Sequence, residues 1–327
     1  MKTYYKNGTM SETKYLIDDD YPFQIQVDYS EGRRLLFYPK DYVIRDINYL
    51  LQDLHGAFTN MYFNDSEQYY DELACLPQGI LLGGQNSDVS IDKECFIGLV
   101  KKLEPCFSSI YKHIYVGDCQ YLISTVQNFL YSAEHCFVQY YIQIAQIEYG
   151  NLTLGETMML SSHESRQIAF LLETFFTKLY SILDLMTKII YELEHPISDF
   201  TSITKLRSAD LLWGARKHIS INKRTGTIFE DCEVIRQIES IRNEAVHNGT
   251  WEFDPKVFLK VEHQTIVERY TLFPDFEEGR LSTVKNRRHF FSKGTKVNDV
   301  LVLIHDEFYQ RLYDTLIYTL KARGGGI

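Results

Sequence analysis

The chain has 327 residues, of which 45% are hydrophobic and 24% charged; that supports a sizeable core and excludes wholesale disorder. Only 18 Gly and 7 Pro occur, which excludes a collagenous or linker-dominated protein, and a length of this order predicts two domains. The formal net charge of −10 excludes a generally basic nucleic-acid coat, yet the charge is unevenly placed. Residues 1–150 hold 11 Lys and Arg against 20 Asp and Glu, whereas residues 151–327 hold 23 against 24. An anionic polymer would therefore be handled by the second half.

Met1–Asp20 is polar and lacks the apolar stretch of a secretory leader, which predicts a cytoplasmic protein. Gln24–Tyr29 and Arg33–Tyr38 flank Ser30-Glu31-Gly32 as a β-hairpin would. Asp41–Phe58 and Asp92–Leu103 read as helices. Between them, Pro77, Gly79, Gly83 and Gly84 mark an irregular connection. The two adjacent glycines have neither a GxGxxG frame nor a Walker lysine, so a phosphate loop is not expected. Residues 1–115 thus form a mixed α/β region of unassigned role. Its acidic clusters, Asp18–Asp20 and Asp65, Glu67, Asp71, Glu72, lack the glycine and ligand order of a calcium loop.

From residue 116 onward the pattern is helical. Leu122, Val126, Phe129, Ala133, Cys136, Tyr140, Ile144 and Ile147 recur every three or four residues and predict a helix over 119–149 that stops at Gly150. Its six glutamine and asparagine residues are too many for a lipid-facing span, so no membrane partner is expected. Ile168, Leu172, Phe175, Leu179, Ile182, Met186, Ile189 and Leu193 predict a second long helix over 162–194, capped by Ser161 or Ser162 and ended by His195-Pro196. Its wide apolar face suits a helix bundle. Shorter helices are predicted at 207–219 and 230–248, the latter closed by Gly249. Phe258–Glu262, Ile266–Phe273 and Arg280–Phe291 read as an inserted β-hairpin or meander. Val297–Lys321 closes the chain as a last helix, before a glycine-rich tail expected to be mobile.

The six cysteines form no CxxC pair, and no histidine cluster completes a zinc spacing, so neither a metal nor a cofactor is expected. The chemistry-bearing segment is Ile241-Arg242-Asn243-Glu244-Ala245-Val246-His247-Asn248-Gly249. Arginine offers a planar, permanently charged fork matched to phosphate, and histidine exchanges a proton near neutral pH. With the 2′-hydroxyl of RNA as nucleophile, such a pair cleaves a phosphodiester without a metal. By spacing alone, the same residues equally describe a surface arginine paired with a glutamate and a histidine capping a helix end.

Arg242-Asn243-x3-His247, following the apolar helix with Leu179-Tyr180-Ser181-Ile182-Leu183-Asp184-Leu185, resembles the HEPN superfamily. The resemblance covers roughly 157–321. It implies an all-α bundle here interrupted by the β segment at about 258–291, within a domain spanning 116–327. It also implies a metal-independent endoribonuclease, working as a homodimer in toxin–antitoxin or anti-phage defence systems. Carried over position by position, Arg242 binds the scissile phosphate, His247 is the acid/base and Asn243 the polar helper. The RNA substrate would be a tRNA or an mRNA, and an antitoxin or regulatory protein is an expected partner. A catalytically inactive HEPN-like RNA- or protein-binding module, a sensor or scaffold, is the alternative. The β insertion and the N-terminal region depart from the family pattern.

Around the motif, Glu244 would polarise His247 or face solvent. Asp184 would orient a catalytic-edge residue or bond between helices. Lys285, Arg287, Arg288 and His289, with Lys293 and Lys296, form one basic stretch, and Arg216 and Lys217 belong to a second before the motif helix. Both are candidate RNA-binding walls, with Trp213, Phe290 and Phe291 as nearby rings for base stacking.

Overall fold

The computed structural model describes residues 2–12, 23–27, 41–149, 157–201 and 219–322. The chain is mainly α-helical with small antiparallel sheets. The helix expected at 207–219, the strand Arg33–Tyr38 with its turn, and Arg216, Lys217 and Trp213 lie outside the described residues, apart from residue 219. No described helix is long and apolar enough to cross a membrane.

Two compact units divide the chain, and neither is a continuous stretch: 1–47, 129–183 and 223–315 form the first, and 48–128, 184–222 and 316–327 the second. From the sequence, 1–115 stands apart as one region; the unit that holds the motif helix also takes in the described residues 2–12 and 23–27.

In the first unit the N-terminal strands β1 (Lys2–Tyr5), β2 (Met10–Glu12) and β3 (Gln24–Val27) form an antiparallel sheet in the order β2-β1-β3. Gln24 therefore opens a strand as expected, but β3 pairs with β1. A second sheet, β4-β5-β6, joins β4 (Thr157–Leu160), β5 (Val257–Glu262) and β6 (Thr265–Tyr270). The β5–β6 turn falls at His263-Gln264 as expected. Both residues have positive φ, +50° and +63°, the backbone of a two-residue hairpin turn that follows strand twist. Val257, Leu259 and Val261 alternate into the core with at most 1% exposure. The rest of the insertion forms two two-stranded ribbons, β7 (Phe276–Glu277) with β8 (Arg280–Leu281), and β9 (Thr283–Val284) with β10 (Arg288–His289).

The helices follow their apolar periodicity. α1 (Asp41–Tyr62) runs four residues past its expected end, and α2 (Ser66–Ala74) and the single turn α3 (Gln78–Leu81) were not expected. α4 (Lys93–Leu103) is capped by Asp92, whose side chain accepts from the Cys95 amide at 2.6 Å. α5 (Ile110–Ala145) is 36 residues long and begins nine residues before the expected helix, because Gly117 alone does not break an otherwise apolar-periodic run. α6 (His163–Glu194) starts at Ser162, which shares reciprocal backbone–hydroxyl bonds with Ser165. Ser161 instead donates to Asp254 at 2.6 Å. α7 (Glu233–His247) carries the motif, and α8 (Val297–Lys321) matches its expected bounds.

Within the first unit, Asn298 at the start of α8 acts as a polar hub. Its amide donates to the carbonyls of Lys6 and Arg269 at 2.8 and 2.9 Å and its oxygen accepts from Tyr140 at 2.7 Å. One buried side chain so ties the N-terminal sheet and β6 to α5.

Candidate functional site

The motif helix α7 is amphipathic, burying Ile235, Ile238 and Ile241. It begins at Glu233, three residues later than its periodicity suggests. Glu230 is held outside it by the Gly226 amide at 2.8 Å and by Arg311. At the far end the Asn248 amide closes the last turn on the Glu244 carbonyl at 2.9 Å. Gly249 follows with φ +106°, a backbone that L side chains rarely adopt, so the expected glycine stop is where it was read.

Arg242 is half-buried. Its Nη1 donates to the Asn243 Oδ1 at 2.8 Å, and its guanidinium lies 4.7 Å from the centre of the Tyr180 ring on α6. Among the described residues no carboxylate pairs with it, so the surface ion pair that spacing alone allows is not formed. His247 is exposed in the last turn, and no described residue hydrogen-bonds its ring. Arginine and asparagine are thus pre-oriented on each other and on an aromatic face, while the imidazole is open to an incoming group at the helix end.

Glu244 differs from both expectations for it. It neither faces solvent nor contacts His247. It is 6% exposed, with Oε2 accepting from Asn248 Nδ2 at 2.9 Å and Oε1 lying 3.4 Å from His289 Nε2. The reason is the β insertion, which runs along one row of α7. Arg236 Nε donates to the Glu278 carbonyl at 2.6 Å, the Ser240 hydroxyl accepts from the Leu281 amide at 3.0 Å, and Glu244 meets His289. Residues 236, 240 and 244 are four apart and share one helix face. At Gly279, with φ +80°, a Cβ would come within 2.7 Å of the Glu233 carbonyl, so the β7–β8 turn lies directly on the first turn of α7.

Asp275 organises the insertion from within. Only 5% exposed, it accepts from the Ser292 amide and hydroxyl at 2.9 and 2.6 Å and from the Lys293 amide at 3.0 Å. Burial would push its pKa up, but these donors outweigh it and hold the carboxyl below its usual range.

The basic stretch divides. Lys285, Arg287 and Arg288 are exposed at the turn between β9 and β10, where Lys285 and Asn286 take φ of +54° and +51°. Lys296 instead pairs with Glu268 and lies over the Tyr270 ring, and Lys293 is anchored on the Phe276 carbonyl, so neither belongs to an open wall. Phe290 is 43% exposed. Asp184 is half-buried on α6 in a segment assigned to the second unit, and the site described here lies within the first. Among the described residues no group of three or more His, Cys, Asp or Glu side chains is placed to hold a metal ion.

Glu252, Glu173 and Phe253, near the motif, were not singled out in the sequence, and Tyr180 and His289 were named there only within longer stretches. Tyr180 and His289 come from remote segments. Glu252, just past Gly249, is pushed up to about 6 by burial, with Lys256 opposing the shift. Glu173 on α6 is also raised by burial, and it bonds Thr250. Phe253, fully exposed, follows Glu252 in the same loop.

No family model, curated protein or solved structure matches the chain.

Proposed function

We propose that this chain is a metal-independent endoribonuclease of the HEPN type, acting through Arg242, Asn243 and His247. The observation that carries the reading is the state of the motif. Arg242 has no carboxylate partner among the described residues and is held on Asn243 and Tyr180, while His247 stands open one turn further along the same helix. A purely structural arginine and histidine would be tied into an ion pair and a cap.

In this reading the guanidinium binds the scissile phosphate through paired N–H donors. An imidazole removes the 2′ proton, the 2′ oxygen attacks phosphorus, and the 5′ oxygen leaves with a proton, giving a 2′,3′-cyclic phosphate and a 5′-hydroxyl end. Arg242 stabilises the charge that builds on the phosphoryl oxygens. Two such motifs facing each other in a homodimer supply both proton-transfer groups. The exposed turn with Lys285, Arg287 and Arg288 is the RNA-tracking element, and Phe253 and Phe290 offer rings for unstacked bases of a tRNA or mRNA loop. A toxin or anti-phage role, with an antitoxin or regulatory partner, is the biological setting that this activity fits.

The test is incubation of the purified protein with total RNA in EDTA, followed by end-group mapping. Cleavage with cyclic phosphate ends is expected, and its loss in both Arg242→Ala and His247→Ala while the helical circular dichroism is kept. Undiminished cleavage by both variants would overturn the assignment.

A further inference from the structure

We propose that the second unit binds a small organic cation, an amidine, guanidine or amine carried on an apolar ring, in a cavity where Asp118 meets the cationic group. The site is independent of the ribonuclease reading, since every residue lining it lies between His55 and Ser124.

The cavity encloses about 670 Å³, within the range of roughly 300–1,000 Å³ typical of small-molecule sites. Its walls are largely apolar: Leu73 of α2, Ile80 of α3, Phe96 of α4 and Ile114 of α5, with Ile91 from the preceding loop. Such walls suit a ring and hold little water.

Asp118 projects from α5 into this lining. Its Oδ1 accepts from Gln85 Nε2 at 3.1 Å, and among the described residues no cation pairs with it. Partly buried, the carboxyl is pushed above its usual range, with the Gln85 bond only partly opposing that. A carboxylate in apolar surroundings is costly unless a partner neutralises it, and a ligand cation with directed N–H donors supplies that partner. An anion would meet Asp118 and Asp92; the basic groups of the lining are the exposed Lys93, His55, whose pKa burial lowers, and His113, which lies 3.6 Å from Glu72.

The chain keeps the space open and its wall firm. Gly117 is the residue before Asp118, and a Cβ added there meets no atom within 4 Å. Glycine inside a helix costs about 1 kcal/mol relative to alanine, so α5 carries a locally unfavourable residue where the cavity needs room. Gly83 does the reverse. A Cβ there would fall 2.3 Å from the Gly79 carbonyl and 2.6 Å from Ile91, so the loop backbone packs tightly and the wall is preformed.

The experiment uses the full chain and three isosteric probes, benzamidine, benzamide and benzoate, with binding followed by ligand-observed NMR and calorimetry. Benzamidine is expected to bind at least tenfold more tightly than benzamide, and benzoate not at all. Asp118→Asn, which keeps shape and removes charge, should weaken benzamidine at least tenfold. Gly117→Phe should abolish its binding while thermal melting stays cooperative. Equal binding of the three probes, no binding of benzamidine, or unchanged binding in Asp118→Asn would overturn the proposal. Because Asp118→Asn is isosteric, it decides the matter even if Gly117→Phe does not fold.

Discussion

His289 of the β insertion and Glu244 of the motif helix meet at 3.4 Å, with side chains only 8% and 7% exposed. The same carboxylate holds Asn248, the residue that closes the helix. His289 Nε2 makes no hydrogen bond among the described residues, so the contact is one of charge: removing either side chain takes away the buried neighbour facing the other, at a cost of about 1–3 kcal/mol. His289→Ala and Glu244→Ala should therefore each lower the urea-unfolding free energy by that order, and the double variant by less than the sum. A double-mutant cycle measures the difference; additivity within about 0.5 kcal/mol would mean the two side chains do not interact.

Gly249 sets where α7 ends and so where His247 stands. At φ +106° an alanine is strained although space around the site is open, and a destabilisation of about 1 kcal/mol or more follows. Gly249→Ala should lower the melting temperature by several degrees. It should also reduce RNA cleavage by more than the change in folded fraction explains, since the last turn must shift. Equal melting temperatures for wild type and variant would contradict this.

His305 on α8 is buried between the rings of Phe137 and Tyr309, at 4.2 and 4.3 Å, and hydrogen-bonds Glu134. Burial alone would lower its pKa, but the Glu134 carboxylate and the bonds to Asp306 and Glu134 outweigh it and raise the group to about 9. The unfolded imidazole titrates near 6.5, so the folded value is the higher one. The stabilisation is fully present below about pH 6.5 and is lost as pH rises through about 9, with an upper size of order 3 kcal/mol. Urea unfolding of the wild type should weaken across that window relative to His305→Gln. Parallel pH profiles for the two proteins would remove the ion pair from the account.

Lys285, Arg287 and Arg288 sit together on one exposed turn. If single-stranded RNA tracks across them, replacing all three with alanine should reduce the slope of log K against log salt by about 2, at roughly 0.7 per phosphate contact. RNA-binding titrations between 50 and 200 mM salt read this directly, and an unchanged slope would exclude the turn from the RNA path.

Long periodic elements were legible in the sequence because one buried stripe determines them locally. The apolar rows of α6 and α8 and the Pro196 and Gly249 stops gave bounds that hold to within a residue, and the turn at His263-Gln264 was equally local. The insertion could be seen as β structure but not placed, because its attachment to α7 depends on a serine hydroxyl, a backbone carbonyl and one histidine, each ordinary in sequence. Glu244 was misread for the same reason: a carboxylate on a helix looks solvent-facing until a strand some 45 residues later covers it. The start of α5 lies nine residues before the expected one because the stripe from Leu122 to Ile147 marks only the later turns of the helix. The motif was picked out by residue type together with the resemblance, but nothing in the sequence shows that Tyr180, quoted only as part of the apolar helix, lies against Arg242.

The row Arg236, Ser240, Glu244 binds three successive turns of α7 to one strip of β structure. Fraying of the helix end toward His247 therefore has to break a link that also holds β10. The amides of the last helical turn and of the ribbon around His289 should therefore exchange with solvent as one cooperative unit, and a partner that grips the ribbon from outside would tighten the end of the motif helix without touching it.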